Sequence, residues 1–332
     1  MTLIGRVMAS RIIRWGFVMA AAGLGGYAIA GRWGGIHHAL DRIGLPVSLL
    51  ALAALLAALT AAMQAWRVLL AGLGSPLPLP VAARVLFIGQ LGKYLPGSVW
   101  PVLAQMELGA EQRVPRLRSV TASIVSMLVV LLAGLVTALV TLPFTGGSTP
   151  YLWAFFALPL ALACLHPRVL NYLIGRALRL ARRPPLDHPL TSRVIAAALG
   201  WTFVSWILYG TQIWLLAIRV GAPAGDAVPL SIGGFALACS AGFIIVPVPA
   251  GVGVRELVLV AVLSHLTGVT VATATAVALV SRAVTVAGDL ITAGLAALSC
   301  HRGKTASAAP GAAAVLEERR LAAEAPLAVP DA

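Results

Sequence analysis

Long apolar runs, most of them about 20 residues or more, decide what this chain can fold into, because a helix of that length crosses the hydrocarbon core of a bilayer. Hydrophobic residues make up 60% of the 332 residues and charged residues 11%, which excludes an ordinary soluble domain. The pattern predicts an all-α polytopic integral membrane helical bundle. The predicted spans are residues 15–31, 46–70, 119–142, 150–166, 194–218, 229–247 and 271–299.

The chain is predicted to divide into one membrane domain, residues 1–299, and a tail, residues 300–332. No polar stretch before residue 300 is long enough to fold alone. The tail is rich in Ala, Pro and charged residues, so we expect a mostly disordered cytoplasmic segment with one short helix near 315–324. The first apolar run follows three arginines and also resembles a cleavable signal segment, but its length favours a retained first span.

The arginines predict the orientation of the bundle. The formal net charge is +13, yet the arginines cluster in short loops between spans, which is typical of topology signals and argues against nucleic-acid binding. Loops on the opposite side hold only Arg32, Arg42 and Arg219. The positive-inside rule therefore predicts a plasma (inner) membrane protein with both termini in the cytoplasm, provided that residues 81–106 enter and leave on that side.

Residues 168–183 form a basic loop between two predicted spans. At about 100° per residue, its arginines fall on one side of a helix and its apolar residues on the other. This arrangement predicts a basic amphipathic helix at the cytoplasmic membrane surface. Its role is either the capture of anionic lipid or plain anchoring of the topology.

Two segments, 81–106 and 250–267, contain helix-breaking residues and read either as short spans or as arms of re-entrant hairpins. Irregular backbone at membrane depth is tolerated only where protein or a water-filled cavity covers it. Interrupted segments at corresponding places in two halves of a chain point to a transporter-like binding site.

The first break carries a lysine, Lys93, which is the only lysine before residue 300. Pro96 removes a backbone donor and Gly97 permits conformations closed to other residues. A helix beginning near Ser98 would present free N–H groups and the positive end of its dipole, which together bind anions. Lys93 and Gln90 lie one or two turns away. The alternative is a loop at the membrane interface with the lysine reaching water.

The second break combines Pro249, Gly251 and Gly253, after which a new helix is expected to begin at once. Glu256 would lie in its first turn, where a negative charge suits the helix dipole. Arg255 does not suit that position, so we expect it to face an anion, Glu256 or an acid elsewhere. The alternative is an adjacent Arg–Glu pair at the interface with a structural role only.

The last predicted span holds two charged residues, Arg282 and Asp289. Seven residues are close to two helical turns, so both side chains share a face but lie about 10 Å apart along the axis. Each therefore needs another partner inside the bundle. The candidates are Glu256 for Arg282, and Arg255 or Lys93 for Asp289. A structural clamp and a role in transport are equally consistent with this pattern.

Motifs for catalysis or metal binding are missing from the sequence. It contains no nucleophile elbow and no phosphate loop. The three cysteines, Cys164, Cys239 and Cys300, are scattered and form no metal or disulfide pattern. No residue set argues for an enzyme, and no metal or cofactor is expected.

The two breaks resemble the flippase-like family named after the transmembrane region of lysylphosphatidylglycerol synthases. The resemblance rests on Gly92–Trp100 and Pro247–Glu256 and covers residues 10–299. It implies the handling of lipid head-groups or polyprenyl-linked sugars across the membrane. Several members carry Asn at the position of Lys93, and this chain is closer to a subgroup seen near cell-envelope polysaccharide genes. The synthases attach their amino acid with a separate soluble domain that this sequence does not contain, so synthase activity is not expected.

We therefore expect a membrane protein that binds an anionic phospholipid or polyprenyl phosphate and helps to move its head-group between leaflets. The alternatives are an accessory subunit for a cell-envelope glycosyltransferase and a membrane-embedded transferase that depends on Glu256 or Asp289. The cations would supply charge, the helix starts near Ser98 and Val254 would cradle phosphate, and the acids would hold the cations or carry a coupling proton. The expected binding residues are Lys93, Ser98, Gln90, Arg255, Glu256, Arg282 and Asp289, beside the helix-breaking residues Pro96, Gly97, Pro249, Gly251 and Gly253.

Overall fold

A computed structural model describes residues 33–94, 99–142, 163, 166–180, 189–244, 251 and 253–324, with side chains in the last helix described as far as residue 299. Over this part of the chain all regular structure is helical, which confirms the predicted all-α fold. Five of these helices are long and apolar enough to cross a membrane: Asp41–Gly72, Arg116–Thr141, Ser192–Arg219, Ala224–Ile244 and Val271–Ser299. They match five predicted spans. The predicted span 15–31, and nearly all of 150–166, lie outside the described residues.

Several consecutive helices of the described residues are joined by short connections, such as residues 111–115 and 220–223. A single kink interrupts the first helix at Gly44, whose φ of 65° is open to glycine but strained for other residues. The elements are α1 Trp33–Gly72, α2 Leu79–Ala83, a π-helical turn Arg84–Ile88, a 3₁₀ turn Leu91–Tyr94, α3 Trp100–Ala110, α4 Arg116–Thr141, α5 Pro167–Leu180, α6 Ser192–Arg219, α7 Ala224–Ile244, α8 Val254–Leu263 and α9 Val271–Glu324.

Small residues let the long helices approach one another closely. A Cβ atom on Gly72 would meet the Val194 side chain at 2.6 Å, and one on Gly288 would collide with Leu55. Helices in a bilayer gain little from the hydrophobic effect and associate through such close packing and through interhelical hydrogen bonds. One such bond joins α6 to α1, since the Ser205 hydroxyl donates to the Ala58 carbonyl at 2.9 Å. The last helix, α9, packs beside α1 in this bundle.

Contacts between connecting segments define two opposite ends of the bundle. At one end, Arg118 donates to the Gly74 carbonyl at 3.0 Å, and Asn171 is hydrogen-bonded to both backbone groups of Leu190. At the other end, Arg219 donates to the Arg42 carbonyl at 3.2 Å. The first of these ends carries most of the arginines of the described loops, and we call it the arginine end.

The first broken segment is a hairpin that enters and leaves at the arginine end. Its two arms lie side by side, because a Cβ atom on Gly89 would be 2.5 Å from Gln105 and one on Gly92 would be 2.9 Å from the Pro101 nitrogen. Arg84 and Glu111 join the two arms at the base at 3.2 Å. Residues 79–94 and 99–111, which we call hairpin 1, therefore do not cross the bundle. Residues 95–98 lie outside the described residues.

The second broken segment is a helical hairpin that opens toward the other end of the bundle. Helix α8 has 10 residues, about 15 Å, which is too short to cross a bilayer. It runs back along α7, with Val262 beside Gly234 and Gly251 beside Gly242. We call residues 224–244, 251 and 253–263 hairpin 2. The segment 250–267 is therefore an arm of a hairpin and not a span.

The basic helix α5 is present as predicted, but its apolar face packs against protein. Leu170 is fully buried in the core cluster, and Ile174 packs against the same cluster. Arg168, Arg176 and Arg179 are exposed. This packing leaves the arginines as the outward surface of the helix. The predicted continuation through residues 181–183 lies outside the described residues.

Helix α9 continues to Glu324, past the predicted boundary at residue 299; the disordered tail remains a prediction. Alanine is the best helix former, and adding residues to an existing helix is far easier than starting a new one. Both effects favour helix in the Ala-rich segment after residue 300, where the sequence analysis placed only a short helix near 315–324. Residues 325–332 lie outside the described part.

Candidate functional site

The two hairpins meet on one face of α9. Arg282, Thr285 and Asp289 lie along this face, near the middle of the apolar stretch Val271–Ser299. Hairpin 1 reaches Asp289, and hairpin 2 reaches Arg282 and Thr285. Lys93 and Arg255, which flank the two breaks, thus contact protein at this depth, as bilayer physics requires for polar groups there.

Asp289 is the contact point of hairpin 1. The Lys93 ammonium lies 2.6 Å from its Oδ2 atom, and the Tyr94 hydroxyl donates to the same oxygen at 2.6 Å. The Asp289 side chain is only 5% exposed, whereas that of Lys93 is 29% exposed. The sequence left two candidate partners for Asp289, Arg255 and Lys93, and in the structure Asp289 is paired with Lys93. Removing one partner of such a buried pair leaves an uncompensated charge, which costs about 3–5 kcal/mol.

Glu256 links the start of α8 to α9. One carboxylate oxygen accepts a hydrogen bond from the Gly253 N–H at 2.6 Å, and the other lies 3.6 Å from Arg282 Nη1. The first contact places a negative charge at the positive end of the α8 dipole. Gly253 has a φ of 86°, a conformation open to glycine but strained for other residues. The pairing of Arg282 with Glu256 agrees with the sequence expectation.

Arg255 is held by neutral groups. Its Nη2 donates to the Thr285 hydroxyl at 3.2 Å, and its guanidinium carbon lies 4.4 Å from the centre of the Phe235 ring. Phe235 is stacked on Tyr209, with centroids 5.2 Å apart. Among the described residues, no carboxylate lies within ion-pair distance of Arg255. Its expected pairing with Glu256 or Asp289 is therefore absent from this part of the chain.

The charged cluster has a surplus of positive charge. Three cations, Lys93, Arg255 and Arg282, stand against two carboxylates, Glu256 and Asp289. The Lys93 ammonium is within electrostatic reach of both guanidinium groups. Repulsion between like charges is strong in a medium of low dielectric constant. An anion entering the cluster would relieve that repulsion.

Several expected site residues do not join this cluster within the described residues. Gln90 is half-buried on the same arm as Lys93, and no described hydrogen bond connects it with the charged groups. Helix α3 begins at Trp100, two residues after the expected start near Ser98. Gly251 lies against Gly242 at the turn of hairpin 2. The residues Pro96, Gly97, Ser98 and Pro249 lie outside the described part of the chain.

Sequence reasoning did not identify Tyr94, Phe235 and Gln212 as neighbours of the site. Tyr94 follows Lys93 directly, so its position in the break was a usable signal. Phe235 lies 20 residues before Arg255 on another helix, and no local pattern connects them. Gln212 is fully buried and donates to the Ser281 hydroxyl at 3.1 Å, which ties α6 to the site face of α9.

Comparison with known families agrees with this arrangement of spans and breaks. The family model described as lysylphosphatidylglycerol synthase TM region matches residues 12–293. The chain belongs to this family. No curated protein and no solved structure matches it significantly. Membership and the five span-length helices make this a membrane protein, related to lipid modification or transport and in contact with membrane lipids.

Proposed function

We propose that this member of the family binds an anionic lipid head-group, of a phospholipid or a polyprenyl phosphate, and moves it between the leaflets. The observation that carries the proposal is the surplus positive charge of the cluster where the two hairpins meet. Charged groups at membrane depth are costly and usually mark a pathway or binding site. A phosphate would offset the surplus positive charge, whereas without a ligand the cations of the cluster repel one another.

The arrangement of the hairpins suits alternating access to this cluster. Hairpin 1 opens toward the arginine end and hairpin 2 toward the opposite end, so each separates the cluster from a different side of the bundle. In transporters with discontinuous helices, substrate sites lie near the bilayer midplane at the junction of two such elements. Small movements of either hairpin would expose the cluster to one side at a time.

The proposed orientation places the arginine end in the cytoplasm. This end carries Arg84, Arg116, Arg118 and the exposed face of α5, whereas Arg42 and Arg219 lie at the other end. Positive residues in short loops are retained on the cytoplasmic side of the inner membrane. The predicted location of both termini in the cytoplasm and the boundary at residue 299 remain part of this proposal.

The proposal is tested by reconstituting the purified chain in vesicles that contain fluorescent phosphatidylglycerol and adding an impermeant quencher. We expect head-groups to become accessible faster than in empty vesicles, and more slowly for Lys93→Ala and for Arg255→Ala. Arg219→Gln, which removes an exposed arginine far from the cluster, is the matched control. A polyprenyl phosphate replaces the phospholipid in a second series.

Unchanged transport in both cluster variants would remove the charge model. A chain that moves neither lipid and copurifies with no anionic lipid would favour an accessory subunit of a glycosyltransferase instead. Turnover of a lipid-linked donor that requires Glu256 or Asp289 would favour a transferase.

A further inference from the structure

We infer that Arg255 alone among the three cations contacts the phosphate of the lipid head-group, and that Lys93 and Arg282 brace the hairpins against α9. This inference rests on the proposed function and assigns its binding residue. It divides a cluster of like charges into one group that holds the ligand and two that hold the protein together.

Lys93 and Arg282, which we call the braces, already have carboxylate partners inside the protein. For Lys93 to hold a phosphate, it would have to give up Asp289, whose side chain is 5% exposed. The carboxylate would then remain unpaired in a buried place, which is strongly unfavourable. Arg282 is paired more loosely, with Glu256 Oε1 at 3.6 Å and without a hydrogen bond to that oxygen. Exchange of the Lys93 pair for a ligand would therefore cost much of the energy that the ligand supplies, and exchange of Arg282 would leave the partly buried Glu256 without its cation.

Arg255 can accept a phosphate without breaking an ion pair that the described residues make. Its guanidinium has five N–H donors, and the described contacts use one of them, toward the Thr285 hydroxyl. A planar guanidinium matches two phosphate oxygens at once. The side chain is only partly buried, so a ligand can reach it.

The surroundings of Arg255 fix the orientation of its planar group. The Thr285 hydroxyl donates to the Ser281 carbonyl at 2.7 Å, so its oxygen is free to accept from Arg255. The Phe235 ring lies under the guanidinium carbon at 4.4 Å. The cation–π contact and the hydrogen bond to the hydroxyl together fix the orientation of the guanidinium plane. A preorganised donor loses less freedom when it binds its ligand.

The start of α8 is a weaker candidate for the phosphate than the sequence suggested. Glu256 already supplies a carboxylate there, through its hydrogen bond with the Gly253 N–H. A phosphate at this helix end near Val254 would meet that negative charge. The neighbouring Arg255 side chain is directed away from it, toward Thr285 and Phe235.

The test measures lipid retention and thermal stability separately. The purified protein is titrated by native mass spectrometry with phosphatidylglycerol, with a polyprenyl phosphate and with diacylglycerol, which lacks phosphate. Arg255→Gln should weaken retention of the phosphate lipids by about tenfold or more, the loss of at least one charge-assisted hydrogen bond. Its melting temperature should match that of the control Arg219→Gln. Arg255→Lys, with its charge but no planar fork, should fall between wild type and Arg255→Gln.

The braces should give a different result. Arg282→Gln should lower the melting temperature and should weaken retention of the phosphate lipids by less than Arg255→Gln does, because it removes a charge of the cluster but no contact with the phosphate. Retention of diacylglycerol should not change in any variant. The lipid that wild type prefers, phosphatidylglycerol or polyprenyl phosphate, identifies the source of the phosphate.

Different outcomes overturn the inference and the proposed function. If wild type retains both phosphate lipids no better than diacylglycerol, the proposed function fails. If wild type prefers them and Arg255→Gln retains them equally well, the division of roles fails while the function stands. If Arg255→Gln melts like a brace variant, or if Arg282→Gln loses the lipid at unchanged stability, Arg255 is not the separate ligand-binding cation.

Discussion

The two hairpins look alike in sequence and differ in how their charges are satisfied. Hairpin 1 presents Lys93 and Tyr94, and both are bound to the same oxygen of Asp289. Hairpin 2 presents Arg255 and Glu256, and Arg255 makes its described contacts with a hydroxyl and an aromatic ring. The cation beside the first break, Lys93, is thus in a buried ion pair, whereas the cation beside the second break, Arg255, has N–H donors that the described contacts do not use.

Their packing differs in how closely backbone meets backbone. A Cβ atom on Gly92 in hairpin 1 would be 2.9 Å from backbone atoms of Trp100 and Pro101. In hairpin 2 a Cβ atom on Gly251 would be 3.1 Å from Gly242, and the tighter approach of 2.7 Å at Gly234 is to the Val262 side chain. The backbones of the two arms therefore come closer together in hairpin 1 than in hairpin 2.

The largest expected effect comes from the ion pair of hairpin 1. Asp289→Ala leaves Lys93 without its carboxylate and removes the acceptor of Tyr94. Because Lys93 is partly exposed, we expect a loss of about 2–4 kcal/mol in the free energy of unfolding, near the lower end of what buried pairs give. Denaturant unfolding in detergent micelles measures this loss.

The double variant Lys93→Met with Asp289→Leu distinguishes a pair from two separate contributions. If the pair acts as a brace, the double variant should be more stable than Asp289→Ala, because no unpaired charge remains. If the loss of stability in the double variant equals the sum of the losses in Lys93→Met and in Asp289→Leu, the assignment of hairpin 1 as a support held by this pair is contradicted.

The next largest effect is expected from backbone packing, which differs between the two hairpins. Gly92→Ala should destabilise the protein by about 1–3 kcal/mol, the usual result of overpacking, because the new methyl group meets backbone that has no side chain to move aside. Gly242→Ala is the matched control, with room at 3.4 Å inside a helix. Thermal melting of both variants decides the comparison; equal losses would mean that hairpin 1 is not the more tightly packed.

Much of this architecture could be predicted because a bilayer allows few alternatives. The apolar runs predicted the five described spans, and the Pro and Gly residues predicted both breaks. Only seven acids precede residue 300, so buried cations had few partners, and the Arg282–Glu256 pair followed from that shortage. The choice between Lys93 and Arg255 as partner of Asp289 depends on distances that no local pattern contains. The contact of Arg255 with Phe235 depends on the packing of α7 against α8, which sequence spacing does not reveal.

A smaller effect is expected at Glu256, where hairpin 2 has its own acid. Glu256→Gln keeps an oxygen that can accept from the Gly253 N–H but loses the ion pair with Arg282 and the favourable charge at the helix start. We expect a loss of about 1 kcal/mol in unfolding free energy. Removal of a negative charge also increases the positive surplus, so retention of phosphatidylglycerol in native mass spectrometry should equal or exceed that of wild type. A fall in retention would indicate that Glu256 itself positions the ligand.

The smallest effect is expected at the base of hairpin 1, where Arg84 and Glu111 join the arms at 3.2 Å. Glu111 is 55% exposed and Arg84 23% exposed, so water and salt screen the pair. Glu111→Gln should cost at most about 1 kcal/mol at low ionic strength. Raising the salt concentration to about 1 M should remove most of that difference in melting temperature, because the screening length falls to about 3 Å. A loss that matches Asp289→Ala and persists in salt would place the rigidity of hairpin 1 at its base and not at the contact of Lys93 with Asp289.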